Sequence, residues 1–228
     1  MTASTQAIAP GTRDVDPYKF GGAHAVVAGV HQATGHGEGG PASKWVIVGY
    51  GFWIFLLSDI VMFSCFFAAH AVLQDATAGG PTGHDLYKPT RIAIETGCLL
   101  LSSFTCGMSA VATQARSRLW TELALLATGL LGVGFLGLEV LDFRDLVEHG
   151  AGPRVSAFLS SFFALVGCHG LHVTAGLLWL GTMMAQVIVK GFRSDILHRL
   201  LCFNLFWHTL DIIWVALFTM VYLIGGTQ

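Results

Sequence analysis

The chain has 228 residues, of which 54% are hydrophobic and only 11% charged, with a formal net charge of −2. Soluble domains carry about 25% charged residues, so this sequence lacks the polar shell that a water-soluble fold of its size requires. The near-neutral balance also excludes the basic surface expected of a nucleic-acid binder.

Residues 1–44 form a tail rich in Gly, Ala and His that includes His24, His31 and His36 and ends in GHGEGGPASK. This composition cannot bury a core, and a mobile segment is expected. His-rich tracts can bind metal, but three histidines scattered over such a stretch are expected to be solvated. Met1–Pro10 offers no basic region followed by an apolar core, so no cleaved leader is expected.

Five apolar stretches follow, at about 45–73, 92–113, 119–141, 156–189 and 200–225. A helix needs about 20 apolar residues to cross the hydrocarbon core, and each stretch is long enough. In lipid only helices and closed barrels satisfy their own backbone groups, and these long runs do not alternate as barrel strands do. The expected fold is an all-α membrane bundle of five helices. The loops AGGPTGHDLYKP and RDLVEHGAGPR carry turn residues, and Pro89 and Pro153 precede the second and fourth spans.

The basic residues set an orientation. Arg13, Lys19, Lys44, Arg116, Arg118, Lys190, Arg193 and Arg199 fall on one side, and Lys88, Arg91, Arg144 and Arg154 on the other. The positive-inside rule then places the N-terminus in the cytoplasm, or the matrix of an organelle, and, after five spans, the C-terminus outside. No internal repeat is visible. The five cysteines, Cys65, Cys98, Cys106, Cys168 and Cys202, are odd in number and show no metal-binding spacing; they are expected to be buried thiols.

Charged groups inside a span are the most informative feature. An Asp at a helix centre costs about 2.5–3.5 kcal/mol on the insertion scale, roughly what five to ten leucines return. The first span carries Ser58, Asp59 and His70, the second Glu95, and the third Glu139 and Asp142. The fourth carries His169 and His172, and the fifth Asn204, His208 and Asp211. Residues three or four apart share a helix face, so Asn204, His208 and Asp211 make one polar stripe. His208 and Asp211 are spaced for an orienting hydrogen bond. Ser160, Ala164, Cys168, His172 and Gly176 form a row that is small except for His172, and Ser102, Cys106 and Ala110 form another. Small rows let helices approach closely, and the fourth and fifth spans are expected to pack through the first of them. Gly129, Gly132, Gly134 and Gly137 thin the third span.

These polar groups have two kinds of reading. As ligands, His169, His172 and His208 would hold a metal or haem beside Glu95 or Glu139. As structural groups, they would bond between helices and meet lipid headgroups. Metal-binding helices use histidines at i, i+4 with a carboxylate, as in H-E-x-x-H. Here the pair is at i, i+3 with no carboxylate within a turn, which favours the structural role. A proton relay would need a polar chain across the membrane, and Asp59, Glu95 and Glu139 supply only parts of one.

Several runs resemble a known family. GPRVSAFLSSFFALVGCHGLHVTAGLLWL, GFWIFLLSDIVMFSCFFAAHAVL and LFWHTLDIIWVALFTMVYLIGG, with AGGPTG and GFLGLEVLDF, resemble subunit III of haem–copper oxidases over roughly residues 45–226. The five-helix form is most like the third subunit of bacterial cytochrome bo-type ubiquinol oxidases. The resemblance implies a non-catalytic subunit of a proton-pumping terminal oxidase in the bacterial inner membrane. Such a subunit binds no cofactor of its own, because the haems and copper belong to the catalytic subunit. Its implied partners are subunit I, subunit II, a small subunit IV and phospholipids. The matching motif residues are Glu139, His169, His172, Trp207, His208, Asp211 and Trp214, implied to tie helices together and line a lipid cleft. The buried Glu of the cytochrome c oxidase form adds Glu95 to this set. The alternatives are subunit III of a cytochrome c oxidase, a small membrane enzyme with its own metal site, and a small membrane transporter.

Overall fold

The structure, a computed structural model, describes residues 44–74, 76 and 89–224. They form α1 (Lys44–Leu73), α2 (Pro89–Gln114), α3 (Arg118–Glu148), α4 (Ala157–Lys190) and α5 (Ser194–Leu217), the last continued by π-helical turns over Phe218–Ile224. Among the described residues five helices are long and apolar enough to cross a membrane, and there is no strand. The N-terminal tail and the loop AGGPTGHDLYKP lie outside the described residues.

Two helices outrun their apolar stretches. α3 continues past Leu141 to Glu148, because hydropathy marks where lipid ends and not where backbone hydrogen bonding does. At 1.5 Å per residue, α3 spans roughly 46 Å against a hydrocarbon core of about 30 Å. Its protruding turns carry charges, with Arg144 and Glu148 paired at 3.7 Å one turn apart. α5 begins at Ser194, ahead of Leu200, and its first turns bury Ile196 and Leu197.

The helix ends have identifiable stops. Beyond α3, Gly150 takes φ +78°; its N–H bonds Val147 O at 3.1 Å, and that of Ala151 bonds Leu146 O at 2.9 Å. This is a Schellman closure, which places its central residue in the left-handed region that glycine tolerates best. α2 closes in the same way around Arg116, at φ +53°, with Arg116 N–H on Thr113 O and Ser117 N–H on Ala112 O. α4 starts at Ser156, whose hydroxyl accepts the Leu159 N–H at 3.1 Å.

α5 is the central helix, with 61% of its apolar span buried against 11% for α1. α1 packs chiefly on α4 and α5. It lies antiparallel on α4, through Phe52 against Trp179 (5.8 Å between rings), Phe63 against His172 (5.2 Å) and His70 against Ser161. α2 and α3 form a closely packed hairpin, also in contact with α5 and α4 respectively.

The α4–α5 contact does not run along the small row from Ser160 to Gly176 and takes only its last member, Gly176. Ser160 and Ala164 are exposed, Cys168 and His172 are half-buried, and of the row only Gly176 is buried. Each i+4 step overshoots a full turn by about 40°, so four steps carry the row nearly halfway round the helix. The buried face is instead made by Phe162, Leu165, Val166, His169, Val173 and Gly176.

Candidate functional site

The intramembrane polar groups gather on two faces of α5. The first is a seam with α2. Trp214 Nε1 donates to Thr96 Oγ1 at 3.2 Å, and Trp207 Nε1 donates to Ser102 Oγ at 3.1 Å. His208 Nδ1 meets Ser103 Oγ at 2.8 Å, and Cys106 Sγ donates to Asn204 Oδ1 at 3.2 Å. Positions rise along α2 as they fall along α5, the order required of antiparallel helices. Asn204 Nδ2 also donates to Leu200 O at 3.0 Å. The stripe of Asn204, His208 and Asp211 therefore faces Cys106 and Ser103.

In place of the expected direct bond to Asp211, the ring of His208 is engaged by Ser103. Ser103 also lies close to the Asp211 carboxyl. Asp211 Oδ1 has no hydrogen-bond partner among the described residues.

The second face looks toward α3 and α4 and is aromatic. His169 is 0% exposed, and neither ring nitrogen has a hydrogen-bond partner among the described residues. Its ring lies 5.3 Å from Trp214, 5.9 Å from Phe135 and 6.3 Å from Phe63. Glu139 is buried on α3 against Gly170, where an added Cβ would meet its Oε1 at 3.0 Å. Both Glu139 carboxyl oxygens are likewise without hydrogen-bond partners among the described residues. His172 turns away from this centre: it is half-buried, donates from Nδ1 to Cys168 O in its own helix at 2.8 Å, and meets Phe63 edge-on.

A third group closes one end of the α2–α3 pair. Arg91 Nη1 donates to Asp145 at 3.0 Å and to Asp142. Glu95, 2% exposed, sits beside Asp142 and within electrostatic range of Arg91, and its field reaches Glu139.

Sequence reasoning singled out Glu95, Glu139, His169, His172, Trp207, His208, Asp211 and Trp214 but missed their partners. Thr96, Ser103 and Arg91 were not marked, and His70 was given no place. His70 is buried and bonds Ser161 Oγ at 2.9 Å, tying α1 to α4. Arg91 and the Asp142–Asp145 pair carry opposite charge at span ends that topology puts on one side, a signal that could have found them. Among the described residues no three His, Cys, Asp or Glu side chains form a group able to hold a metal ion. What the arrangement provides chemically is hydrogen bonding and ion pairing between helices.

Comparison with known proteins gives this geometry a context. The profile of the family described as cytochrome c oxidase subunit III matches residues 30–226. The chain is 46% identical over 177 residues to the cytochrome bo(3) ubiquinol oxidase subunit 3 of Pseudomonas aeruginosa, covering 78% of this chain and 85% of that one. It is 43% identical over 175 residues to the protein of that name from Buchnera aphidicola subsp. Baizongia pistaciae, covering 77% and 90%. It is 41% identical over 175 residues to the quinol oxidase subunit 3 of Bacillus subtilis, covering 77% and 86%. With nearly its whole length matched by the family profile and its helices in the multi-pass arrangement, the chain belongs to the cytochrome c oxidase subunit III family.

Proposed function

We propose that this chain is the non-catalytic third subunit of a terminal oxidase that oxidises a quinol and reduces oxygen to water. The observation that carries the reading is the 36–46% identity, over about three quarters of the chain, to proteins named as quinol oxidase subunit 3. Those names also favour quinol over cytochrome c as the electron donor of the complex. In this reading the chain binds no haem or copper, which belong to a catalytic subunit I beside it, with subunit II and a small subunit IV completing the assembly. The complex sits in the bacterial inner membrane, with the N-terminus cytoplasmic and the C-terminus periplasmic. The excess of basic residues on the N-terminal side supports that orientation.

The chain's own contribution is to hold its bundle, its lipids and its neighbours in place. Trp207, His208, Asp211 and Trp214 fasten α5 to α2, while Glu95, Glu139, His169 and His172 pack the other interhelix faces. Their engagement in helix contacts supports a structural rather than a chemical task. To test the assignment, the tagged chain is extracted from its native membrane in mild detergent, and co-purifying subunits are identified alongside a reduced-minus-oxidised spectrum. The expected result is larger membrane subunits with a haem signal, and no haem on the separated chain. A colourless chain that comes alone, or haem retained by the chain itself, would overturn the reading.

A further inference from the structure

Carboxyl groups recur at every third residue along the C-terminal end of α3, at Glu139, Asp142, Asp145 and Glu148. Their burial is graded. The side chains of Glu148, Asp145 and Asp142 are 66%, 40% and 29% exposed, whereas Glu139 is only 4% exposed. From α2, Arg91 donates to Asp142 and Asp145, and the buried Glu95 lies close to Asp142. Glu95 in turn acts on Glu139. The carboxyls thus lead inward from the charged turns of α3, through Asp142 and Glu95, to Glu139. They stop there, because the next turn of α3 carries the fully buried Phe135.

The charges along this line do not balance. Arg91 already serves two carboxylates, and among the described residues it is the one cation that acts on Glu95. The charged groups that act on Glu139 are Glu95 and Asp142, both acidic. α4 sets Gly170 against the Glu139 carboxyl; beside it is His169, fully buried, with neither ring nitrogen bonded among the described residues. His172 bonds its own helix and meets Phe63 of α1. α5 reaches this region through Trp214 on His169, while its titratable pair, His208 and Asp211, lies on the Ser103 side. An ionised Glu139 would be a buried carboxylate with no donor and two like charges beside it, which is a costly state. A neutral carboxyl carries a far smaller penalty. No group of described side chains can hold a metal ion, and the cation that suits this carboxyl is a proton.

We propose that Glu139 is a proton-binding site, loaded from the charged end of α3 by transfer through Asp142 and Glu95. Each transfer turns one carboxyl into a carboxylate and the neighbouring carboxylate into a carboxyl, and the net supply is one proton from water. Because the line ends at Phe135 and does not cross the bundle, the site stores a proton and does not conduct one across the membrane. It rests on the chain spanning a membrane and not on the oxidase assignment.

The test uses the tagged protein with everything that assembles on it, in lipid nanodiscs at neutral pH. Infrared spectroscopy reads the carbonyl stretch of protonated carboxyl groups, and a wild-type-minus-variant spectrum separates this site from every other carboxyl present. Glu139→Gln, which keeps the size and neutrality of a protonated glutamate, is expected to lose one such band. In heavy water the lost band should be found shifted, as an exchangeable proton requires. Glu95→Gln and Asp142→Asn should each leave the Glu139 band in place and slow its shift. If Glu139→Gln does not assemble, these two variants decide. An exchange rate unchanged in both would overturn the proposal. So would a Glu139→Gln variant that loses no band, or a lost band that heavy water never shifts.

Discussion

Replacing Gly176 by Ala tests how α5 is seated. Trp207 lies between two helices that lack side chains where its ring passes. A Cβ at Gly176 would meet Trp207 Cζ3 at 3.0 Å, Phe206 Cε1 at 3.1 Å and Trp207 Cε3 at 3.3 Å. On the other side, a Cβ at Gly132 would meet Leu177 Cδ2 and Trp207 Cη2 at 3.0 Å and Trp207 Cζ2 at 3.1 Å. Carbon pairs settle at about 3.5–4.0 Å, so the ring would have to move by about half an ångström or more. It has little room to do so, because its Nε1 is bonded to Ser102 and the opposite glycine already touches its far edge. Overpacking of this kind costs about 1–3 kcal/mol. Gly→Ala in a helix returns about 1 kcal/mol of propensity, which blurs the result of a single variant. Gly134→Ala on α3 removes that ambiguity, since nothing lies within 4 Å of its Cβ. The stability difference between Gly176→Ala and Gly134→Ala should then isolate the clash at about 1–3 kcal/mol, read from unfolding of the purified protein in mixed detergent micelles. Trp207→Phe, with a smaller ring, should shrink that difference. If the two alanine variants unfold together, Trp207 is not held between two glycine faces and the seating of α5 described above is wrong.

Four other substitutions follow from the same contacts. Thr96→Val leaves the buried Trp214 Nε1–H without its acceptor, and should cost about 1–3 kcal/mol by the same unfolding assay; a loss near zero would argue that this bond is not made. His208→Leu removes the partner of Ser103 and should lower the amount of assembled complex more than the turnover of what remains, measured as haem recovered against oxygen consumption per haem. His169→Leu should assemble at least as well as wild type, because its ring has aromatic neighbours and no hydrogen bond to lose; a variant that assembles but turns over slowly would give His169 a functional task. Arg116→Gly relieves a left-handed residue and should raise stability by about 1 kcal/mol, and an unchanged or lower unfolding midpoint would contradict the strained closure.

The number of spans was legible because hydropathy over some 20 residues reports directly on lipid. The face each polar residue takes was legible only in part. Asn204, His208 and Asp211 share a face by spacing alone, and the structure turns that face to α2. His169 and His172 show the limit. They lie three apart in one motif, yet one is enclosed by Phe63, Phe135 and Trp214 while the other bonds its own backbone beside α1. The difference arises from which helix stands opposite, and no periodicity carries that information. The row from Ser160 to Gly176 misleads for a related reason, since a string of i+4 steps looks straight in sequence and winds around a real helix. Ser103 was invisible because a serine in an apolar run carries no signal until an unbonded His and Asp are brought against it.

The energetics suggest why so many polar groups are kept inside a chain assigned no chemistry. A hydrogen bond between membrane helices contributes about 0.6 kcal/mol on average, while an Asp at a helix centre costs about 2.5–3.5 kcal/mol to insert. Asp211 and its neighbours are therefore poor stabilisers on balance. What they do well is discriminate. Without the seam, the apolar side chains of α5 would pack against α2 in several rotations of similar energy. With it, any rotation that separates Trp214 from Thr96, Trp207 from Ser102 and His208 from Ser103 leaves several polar groups unpaired at once. The pairs thus hold one rotation of α5, and that rotation carries Trp207 between Gly132 and Gly176 and Trp214 against His169. The outward surface is left to apolar side chains such as Trp53, Phe55, Leu130 and Leu178. A subunit built to stand between lipid and larger neighbours needs that division: polar contacts turned inward to fix shape, and an apolar exterior whose outline they determine.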